Sequence, residues 1–343
     1  MVSRAISKTP GTEEVLVHTG QHFDANMSEV FFQELEIPLP KYHLNISGGT
    51  HCEMIGRMLV VLEEVINKEK PERILVYGDS NSTLAGTLAA TRLHTPIAHV
   101  EAGLRSFNQL MPEEINRVVA DHLADLLLSP TTVATANLLH EGISKERIHQ
   151  VGDVMYDATL YYGNKAEERS RILTHYGLSR GEYVLATVHR QENTDFPKRL
   201  STIFRALRAV ARVMPVALPL HPRTRQCIAD CGDGAATDGL IVLPPLGYLD
   251  MVMLERNAAV IATDSGGVQK EAYFHCVPCV TLRDETEWTE LVEMCWNRLA
   301  PPGQVDIAER ILQAINSKGS IDTKPYGSGD AASKIGVILQ GKY

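Results

Sequence analysis

Three carboxylates give this sequence its sharpest chemical signal. Asp79 follows the apolar run 73–77, Glu101 follows the run 96–100, and Glu113 opens a helical segment just after Pro112. Carboxylates at the ends of successive buried strands line a binding cleft, and several together shift one another's pKa toward acid and base work. Each also has a plainer role. Asp79 can cap a helix, and Glu113 is a favourable charge in a helix's first turn. Arg117 lies four residues after Glu113 on the same helix face, where the two can simply pair.

A second group of residues suits an anion. The apolar run 258–263 leads straight into Asp264-Ser265-Gly266-Gly267 and then into a segment of helical composition. Ser265 can cap that helix, and the glycines let backbone N–H groups approach a ligand closely. Glu271, about one and a half turns further in, could accept from sugar hydroxyls. His189-Arg190 follows the run 183–188, and His221-Pro222-Arg223-Thr224-Arg225 follows 216–220. An ordinary strand–turn–helix junction and solvated surface charge are the alternatives. Their convergence points instead to an anionic nucleotide, most simply a nucleotide sugar. No Walker lysine loop and no complete GxGxxG after a first strand is present, which argues against a nucleoside triphosphatase or an NAD enzyme. Neither HExxH nor a strong cysteine–histidine pattern points to a metal. Cys276-x-x-Cys279 stands alone astride Pro278 and reads as buried thiols.

The elements that must position these groups alternate steadily. Strands are expected at 14–19, 73–77, 96–100 and 126–129, with helices at 26–35, 50–70, 82–92 and 111–125. A long polar helix at 157–176 leads to a second set of strands at 183–188, 216–220, 240–243, 259–263 and 279–282. Such βαβα order implies mostly parallel sheets with ligands at the carboxyl ends of strands. The fold class is therefore α/β, with two doubly wound Rossmann-like domains facing across a cleft. They are assigned to residues 1–160 and 161–326, with 327–343 a C-terminal helix returning to the first. The chain opens on what reads as the end of a helix. A leading strand and its ligand-touching loop are not found ahead of residue 14.

Bulk properties agree. A chain of 343 residues suggests about two domains, and 44% hydrophobic with 22% charged residues is an ordinary soluble composition. A net charge of −9 makes a general nucleic-acid binder the wrong class, and no apolar run approaches membrane-spanning length. The N-terminus lacks the apolar core of a signal peptide, and six cysteines do not make a disulfide scaffold, so the cytoplasm is the default.

Six short motifs then occur in order. They are His18-Thr19-Gly20-Gln21-His22, Tyr77-Gly78-Asp79-Ser80, His99-Val100-Glu101-Ala102-Gly103-Leu104-Arg105, Pro112-Glu113-Glu114-Ile115-Asn116-Arg117, His189-Arg190 with Glu192-Asn193, and Asp264-Ser265-Gly266-Gly267-Val268-Gln269. Together they resemble the non-hydrolysing UDP-N-acetylglucosamine 2-epimerases over about residues 14–300. The resemblance implies a glycosyltransferase-B arrangement, UDP held mainly by the second domain, and a cytoplasmic homodimer serving polysaccharide biosynthesis. It implies interconversion of UDP-GlcNAc and UDP-ManNAc without cofactor or metal, by elimination of UDP to a 2-acetamidoglucal and re-addition. Asp79, Glu101 and Glu113 match the family's acid/base carboxylates, and Arg117 and His189 match residues near the diphosphate. Ser265, Gly266, Gly267 and Glu271 match the UDP cradle. Gln21, His22 and Arg190 match part of a regulatory second-substrate site, although Asp24 replaces a usual Gln.

The departures from the family pattern are specific. The first strand and its Gly-x-Arg-Pro loop have no counterpart, which leads to the expectation that the chain as written is poorly stable and nearly inactive. Met251 stands where many members have Phe, and Glu287-Trp288 where many have Glu-Arg. The Thr286-Glu287-Trp288 version is similar to the branch acting on UDP-2,3-diacetamido-glucuronic acid. The rival readings are a glycosyltransferase of the same fold, a hydrolysing epimerase, and a nucleotide-sugar-binding remnant without activity.

Overall fold

Strands of two to four residues build three parallel sheets in the computed structural model, which describes residues 1–21, 34–231, 235–315 and 317–341. The chain divides into two compact units, Met1–Ala158 with Lys324–Tyr343, and Thr159–Thr323.

In the first unit, β1 (Val17–His18) pairs in parallel with β2 (Tyr42–His43) as a sheet of its own. Strands β3 (Ile74–Tyr77), β4 (Ile97–Val100), β5 (Leu126–Ser129) and β6 (Ile148–Gln150) form a parallel sheet in that order. Period-two alternation gives this sheet two apolar faces. Ala98, Val100, Leu126 and Leu128 pack with Val2 and Ile6 of the helix Val2–Ile6 and with Ala332 and Ile335 of the helix Ala331–Gln340. Ile97 and Leu127 pack on the opposite side with Ala90, Ala102 and Leu138. The C-terminal helix thus lies on the first unit's sheet.

Local chemistry sets the helix starts. Thr50 and Glu53 form a capping box at the helix His51–Glu69, and Ser80 caps Asn81–Arg92 by accepting from Thr83 N. Small residues let the second of these lie close to β3, where a Cβ on Gly86 would come 3.2 Å from Val76 Cγ1.

In the second unit, β7 (Val184–Thr187), β8 (Val216–Pro219), β9 (Ile241–Leu243), β10 (Val260–Thr263), β11 (Cys279–Thr281) and β12 (Asn297–Leu299) are all parallel. Their order is β12-β11-β10-β7-β8-β9. The chain starts at β7, winds outward through β8 and β9, then returns to the other side of β7 with β10. The carboxyl ends of β7 and β10 therefore flank the switch point, where doubly wound sheets bind ligands.

Several expectations change. The strand at 14–19 contracts to Val17–His18, and β2, β6 and β12 were not anticipated, being short and mixed in polarity. The single helix expected at 157–176 is two, Val154–Arg169 and Ile172–Tyr176. Ser170 separates them: its hydroxyl donates to Asp250 at 2.5 Å and accepts from Ile172 N at 3.3 Å, so backbone continuity yields to side-chain bonding. The helix expected at 26–35 falls almost wholly outside the described residues. Of the two cysteines read as buried, Cys279 lies inside β11, its thiol pushed up to about 12 by burial, whereas Cys276 is exposed.

Two buried features make the fold testable. Gly103 has φ +87°, and a Cβ there would lie 2.3 Å from the Ala134 carbonyl oxygen; Gly142 has φ +81° but open space around it. Gly103→Ala should therefore lower unfolding free energy by more than about 3 kcal/mol, against about 1 kcal/mol for Gly142→Ala, in denaturant titrations. The second feature is His275, whose ring burial pushes down to about 4, with Arg256 adding to the effect. A depressed histidine contributes stability above its unfolded value near 6.5 that is lost as pH falls toward the folded value. Between pH 7 and pH 5 this group should cost about 2 kcal/mol, and His275→Gln should lose correspondingly less stability on acidification.

Candidate active site

The first unit gathers its polar residues at the carboxyl ends of β3 and β4. Asp79 ends β3, and its carboxylate accepts from Arg117 Nη2, a salt bridge with the guanidinium almost fully buried. The Asp79 carbonyl accepts from Asn116 Nδ2 at 2.8 Å. Both donors come from the helix Pro112–Leu123, so that helix holds the aspartate at both ends. Glu101 follows β4 with φ +71°, a left-handed conformation uncommon for a residue with a side chain. Its carboxylate lies over Gly78: a Cβ on that glycine would be 3.2 Å from Glu101 Oε2. Asp79 and Glu101 are thus brought to one strand-end cluster, with Gly78 needed for the approach.

Glu113 is half-buried in the first turn of Pro112–Leu123 and makes no hydrogen bond or ion pair with a described residue. The expected Glu113–Arg117 pair does not form. Arg117 turns instead to Asp79 and to Glu114 Oε2 at 3.4 Å, because the i+3 neighbour is the buried one. Glu114 in turn accepts from Ser106 N, Ser106 Oγ and Phe107 N at 2.7, 2.9 and 3.2 Å, clamping the loop ahead of the helix. Sequence reasoning missed Glu114 and Asn116, since a second Glu and an Asn in a first turn look like ordinary helix-start residues.

At the second unit's switch point, Asp264 is fully buried at the end of β10. Its carboxylate accepts from His189 N and Arg190 N at 3.1 Å and from Asn193 Nδ2 at 3.0 Å. It therefore shapes the loop after β7 and leaves the His189 side chain half-exposed, with Nδ1 3.4 Å from Asp264 Oδ1. Ser265 caps the helix Gly266–Phe274, accepting from Val268 N at 3.5 Å.

Gly266 meets a side chain rather than open space: a Cβ there would lie 2.5 Å from Glu287 Oε1. Glu287 is buried, 2.9 Å from Arg283 Nη1 and 3.8 Å from Arg190 Nη2, while Arg283 Nε also reaches Glu192 at 2.9 Å. This places a carboxylate and two guanidiniums against the helix start. Of these, Arg190 and Glu287 were singled out from sequence, and Arg283 was not. Gly267 is half-buried in the same first turn.

Further along, Glu271 accepts from Tyr248 OH at 3.0 Å. Behind it lies Glu255, fully buried, whose carboxyl oxygens find no hydrogen bond among the described residues. Burial and the neighbouring Glu271 push the Glu255 carboxyl well up. Trp288 is buried with Lys270 Nζ 4.2 Å from its ring centroid, a cation–π contact. Met251 packs half-buried against the core of its own unit.

Of the three residues marked as a regulatory group, two are among the described residues. Gln21 belongs to the first unit and accepts from Ser82 N and Ser82 Oγ at 3.0 and 2.9 Å. Arg190 belongs to the second unit, and His22 lies outside the described residues. Among the described residues no cluster of three His, Cys, Asp or Glu is arranged to hold a metal ion, and no helix is long and apolar enough to cross a membrane.

A family model described as UDP-N-acetylglucosamine 2-epimerase matches residues 4–340. The chain is 50% identical to a UDP-2,3-diacetamido-2,3-dideoxy-D-glucuronate 2-epimerase of Pseudomonas aeruginosa, covering 99% of this chain and 94% of that one. It is 41% identical to a UDP-N-acetylglucosamine 2-epimerase of Methanocaldococcus jannaschii, over 100% and 95% of the two chains. The crystal structure of the Methanocaldococcus jannaschii UDP-GlcNAc 2-epimerase in complex with UDP-GlcNAc and UDP matches with a TM-score of 0.88 at 40% identity, covering 99% and 94% of the chains. That of the Neisseria meningitidis enzyme bound to UDP-GlcNAc gives 0.90 at 28% identity, covering 99% and 95%. With matched residues running from one end of the fold to the other, the chain belongs to the UDP-N-acetylglucosamine 2-epimerase family, whose members are UDP-sugar isomerases.

Proposed function

We propose that this chain inverts C2 of a UDP-linked 2-acetamido sugar by elimination and re-addition of UDP, with the diacetamido uronate as its sugar. The observation that carries the reaction is the strand-end pair of carboxylates, Asp79 gripped by Arg117 and Asn116 and Glu101 held left-handed over Gly78. C2–H is weakly acidic, so the departing group must be stabilised as the proton is removed. A carboxylate takes the C2 proton, the C1–O bond breaks with its electron pair leaving on UDP, and a C1=C2 double bond forms. Delivery of a proton to the opposite face of C2 and attack of the UDP oxygen at C1 completes the inversion. Asp79, Glu101 and Glu113 are assigned these proton transfers, and Arg117 and His189 the diphosphate charge. Ser265, Gly266, Gly267 and Glu271 are assigned to UDP. Gln21, His22 and Arg190 remain the candidates for a regulatory second-substrate site.

The uronate is favoured by two observations. Identity is 50% to the Pseudomonas aeruginosa diacetamido-glucuronate enzyme against 41% to the Methanocaldococcus jannaschii UDP-GlcNAc enzyme. Trp288, buried over Lys270, is the residue that separates this chain from the usual Glu-Arg pattern. UDP-GlcNAc is the second reading, supported by the solved relatives that hold it. A cytoplasmic homodimer acting in polysaccharide biosynthesis is the cellular setting proposed.

Purified protein incubated without any acceptor should convert the UDP-diacetamido uronate to its C2 epimer faster than it converts UDP-GlcNAc to UDP-ManNAc. The opposite preference would reassign the substrate, and neither product would restore the transferase or binding-remnant readings. In D2O the product should carry deuterium at C2; retention of the original hydrogen would sink the elimination scheme. Asp79→Asn, Glu101→Gln and Glu113→Gln should each lower turnover by about 100-fold or more, while UDP affinity by calorimetry changes far less. Near-normal turnover in one of them removes that residue from the chemistry.

A further inference from the structure

Beneath the paired carboxylates lies a histidine with an acceptor on each side. His99, on β4, is fully buried. Its Nδ1 is 2.7 Å from Asp121 Oδ1, and its Nε2 is 2.8 Å from the Gly78 carbonyl oxygen. A carbonyl can only accept, so Nε2 must carry a proton. A neutral ring has no second N–H, and Nδ1 would then face the Asp121 carboxylate lone pair to lone pair. Asp121 could relieve this only by taking the proton itself. A proton on Oδ1 would leave the buried Arg105 guanidinium, which donates to Oδ2 at 2.7 Å beside Gly103 N at 3.0 Å, facing a neutral group. Burial opposes its charge, yet the bonds and charges of His99 and Arg105 outweigh that and hold the carboxyl below the usual range.

We propose that His99 is an imidazolium throughout the working pH range and acts as a positioning residue for Asp79 and Glu101. The proposal rests on the reading that these two carboxylates move the C2 proton. His99 Nε2–H fixes the carbonyl of Gly78, the peptide immediately before Asp79. The same helix that supplies Asp121 also supplies Asn116 and Arg117, which hold the Asp79 carbonyl and carboxylate. One buried cation thus ties the helix Pro112–Leu123 to the end of β3 from below, while Asn116 and Arg117 tie it from the side. Glu101 leaves β4 two residues beyond His99, and its negative charge is among those that favour the charged ring.

The charged groups around the ring are Asp121 from the helix, Glu101 from the end of its own strand, and Arg105 from the loop beyond. Glu141, bound to Arg105 through two contacts of 2.7 Å, closes the set. Burial opposes the charge on His99, but the Asp121 bond and charge, the Gly78 carbonyl and Glu101 together raise its pKa. A raised histidine keeps its contribution at neutral pH and loses it as pH rises through the folded value. Deprotonation would break one of the two bonds and release Gly78 or Asp121.

The test begins with protein labelled with 15N at histidine and read by long-range 1H–15N correlation between pH 6.5 and 9. One ring, identified by the slowest-exchanging N–H protons and by its loss in His99→Gln, should show both nitrogens protonated at pH 7.5. A single protonated nitrogen on that ring at pH 7.5 overturns the proposal, and this spectrum of the wild-type protein decides even if the variant does not fold. Where His99→Gln folds, it should lower kcat on the order of 10-fold to 100-fold with little change in KM. Wild-type kcat in that variant would also overturn it. Asp79→Asn at full rate would sink the proton-transfer reading but leave the imidazolium standing, so the two failures are distinguishable.

Discussion

A buried carboxylate that must be answered by several donors at once organises the strand ends in both units. Asp264 has no solvent, so its charge is supportable only with donors around it, and it takes them from the backbone of His189 and Arg190 and from Asn193. Asp121 does the same in the first unit with Gly103 N, Arg105 and His99. Removing such a group strands its donors, and removing a donor strands the charge, so each loop has one acceptable geometry. The motif His99-x-Glu101-Ala102-Gly103-Leu104-Arg105 then has a physical reading residue by residue. His99 and Arg105 grip Asp121, and Gly103 permits a turn pressed against Ala134. Glu101 lies with its carboxylate over Gly78.

The same logic explains how an acidic chain can serve an acidic ligand. With a net charge of −9 the molecule as a whole repels a nucleotide diphosphate, so attraction has to be local. Around the start of Gly266–Phe274 two guanidiniums, Arg283 and Arg190, are held by Glu287 and Glu192. The arginines are not neutralised into uselessness by this. They are immobilised, so they stand as fixed donors rather than flexible ones, and their ordering cost is already met in the folded state. Gly266 is glycine because Glu287 occupies the volume of its missing side chain.

Buried ionisable groups without such donors among the described residues show the opposite extreme. Glu255 and His275 lie 4.0 Å apart beside Glu271, and burial drives both toward their neutral forms. Glu271 stays close to Tyr248, whose hydroxyl donates to it.

The chain's local order determined a great deal without any tertiary information. Buried strands at 73–77, 96–100, 126–129 and in five places of the second half were legible, because short apolar runs bounded by polar or turn residues have few other structures open to them. The helix start at Ser265 was legible for the same reason, since a cap is satisfied by a residue two or three places away, whereas Ser80 and not Asp79 caps Asn81–Arg92. What tertiary structure alone decided was partnership over long sequence separations. Arg117 chose Asp79, 38 residues away, over Glu113, four away, and the helix expected at 157–176 broke where Ser170 found Asp250, 80 residues on. His99 reads as a polar interruption of a strand until Asp121 and Gly78 close on it from different elements. The physical reason is common to all three. A local pattern reports which groups must be buried, but a buried charge or hydroxyl is satisfied by whichever donor or acceptor the packed elements bring within about 3 Å.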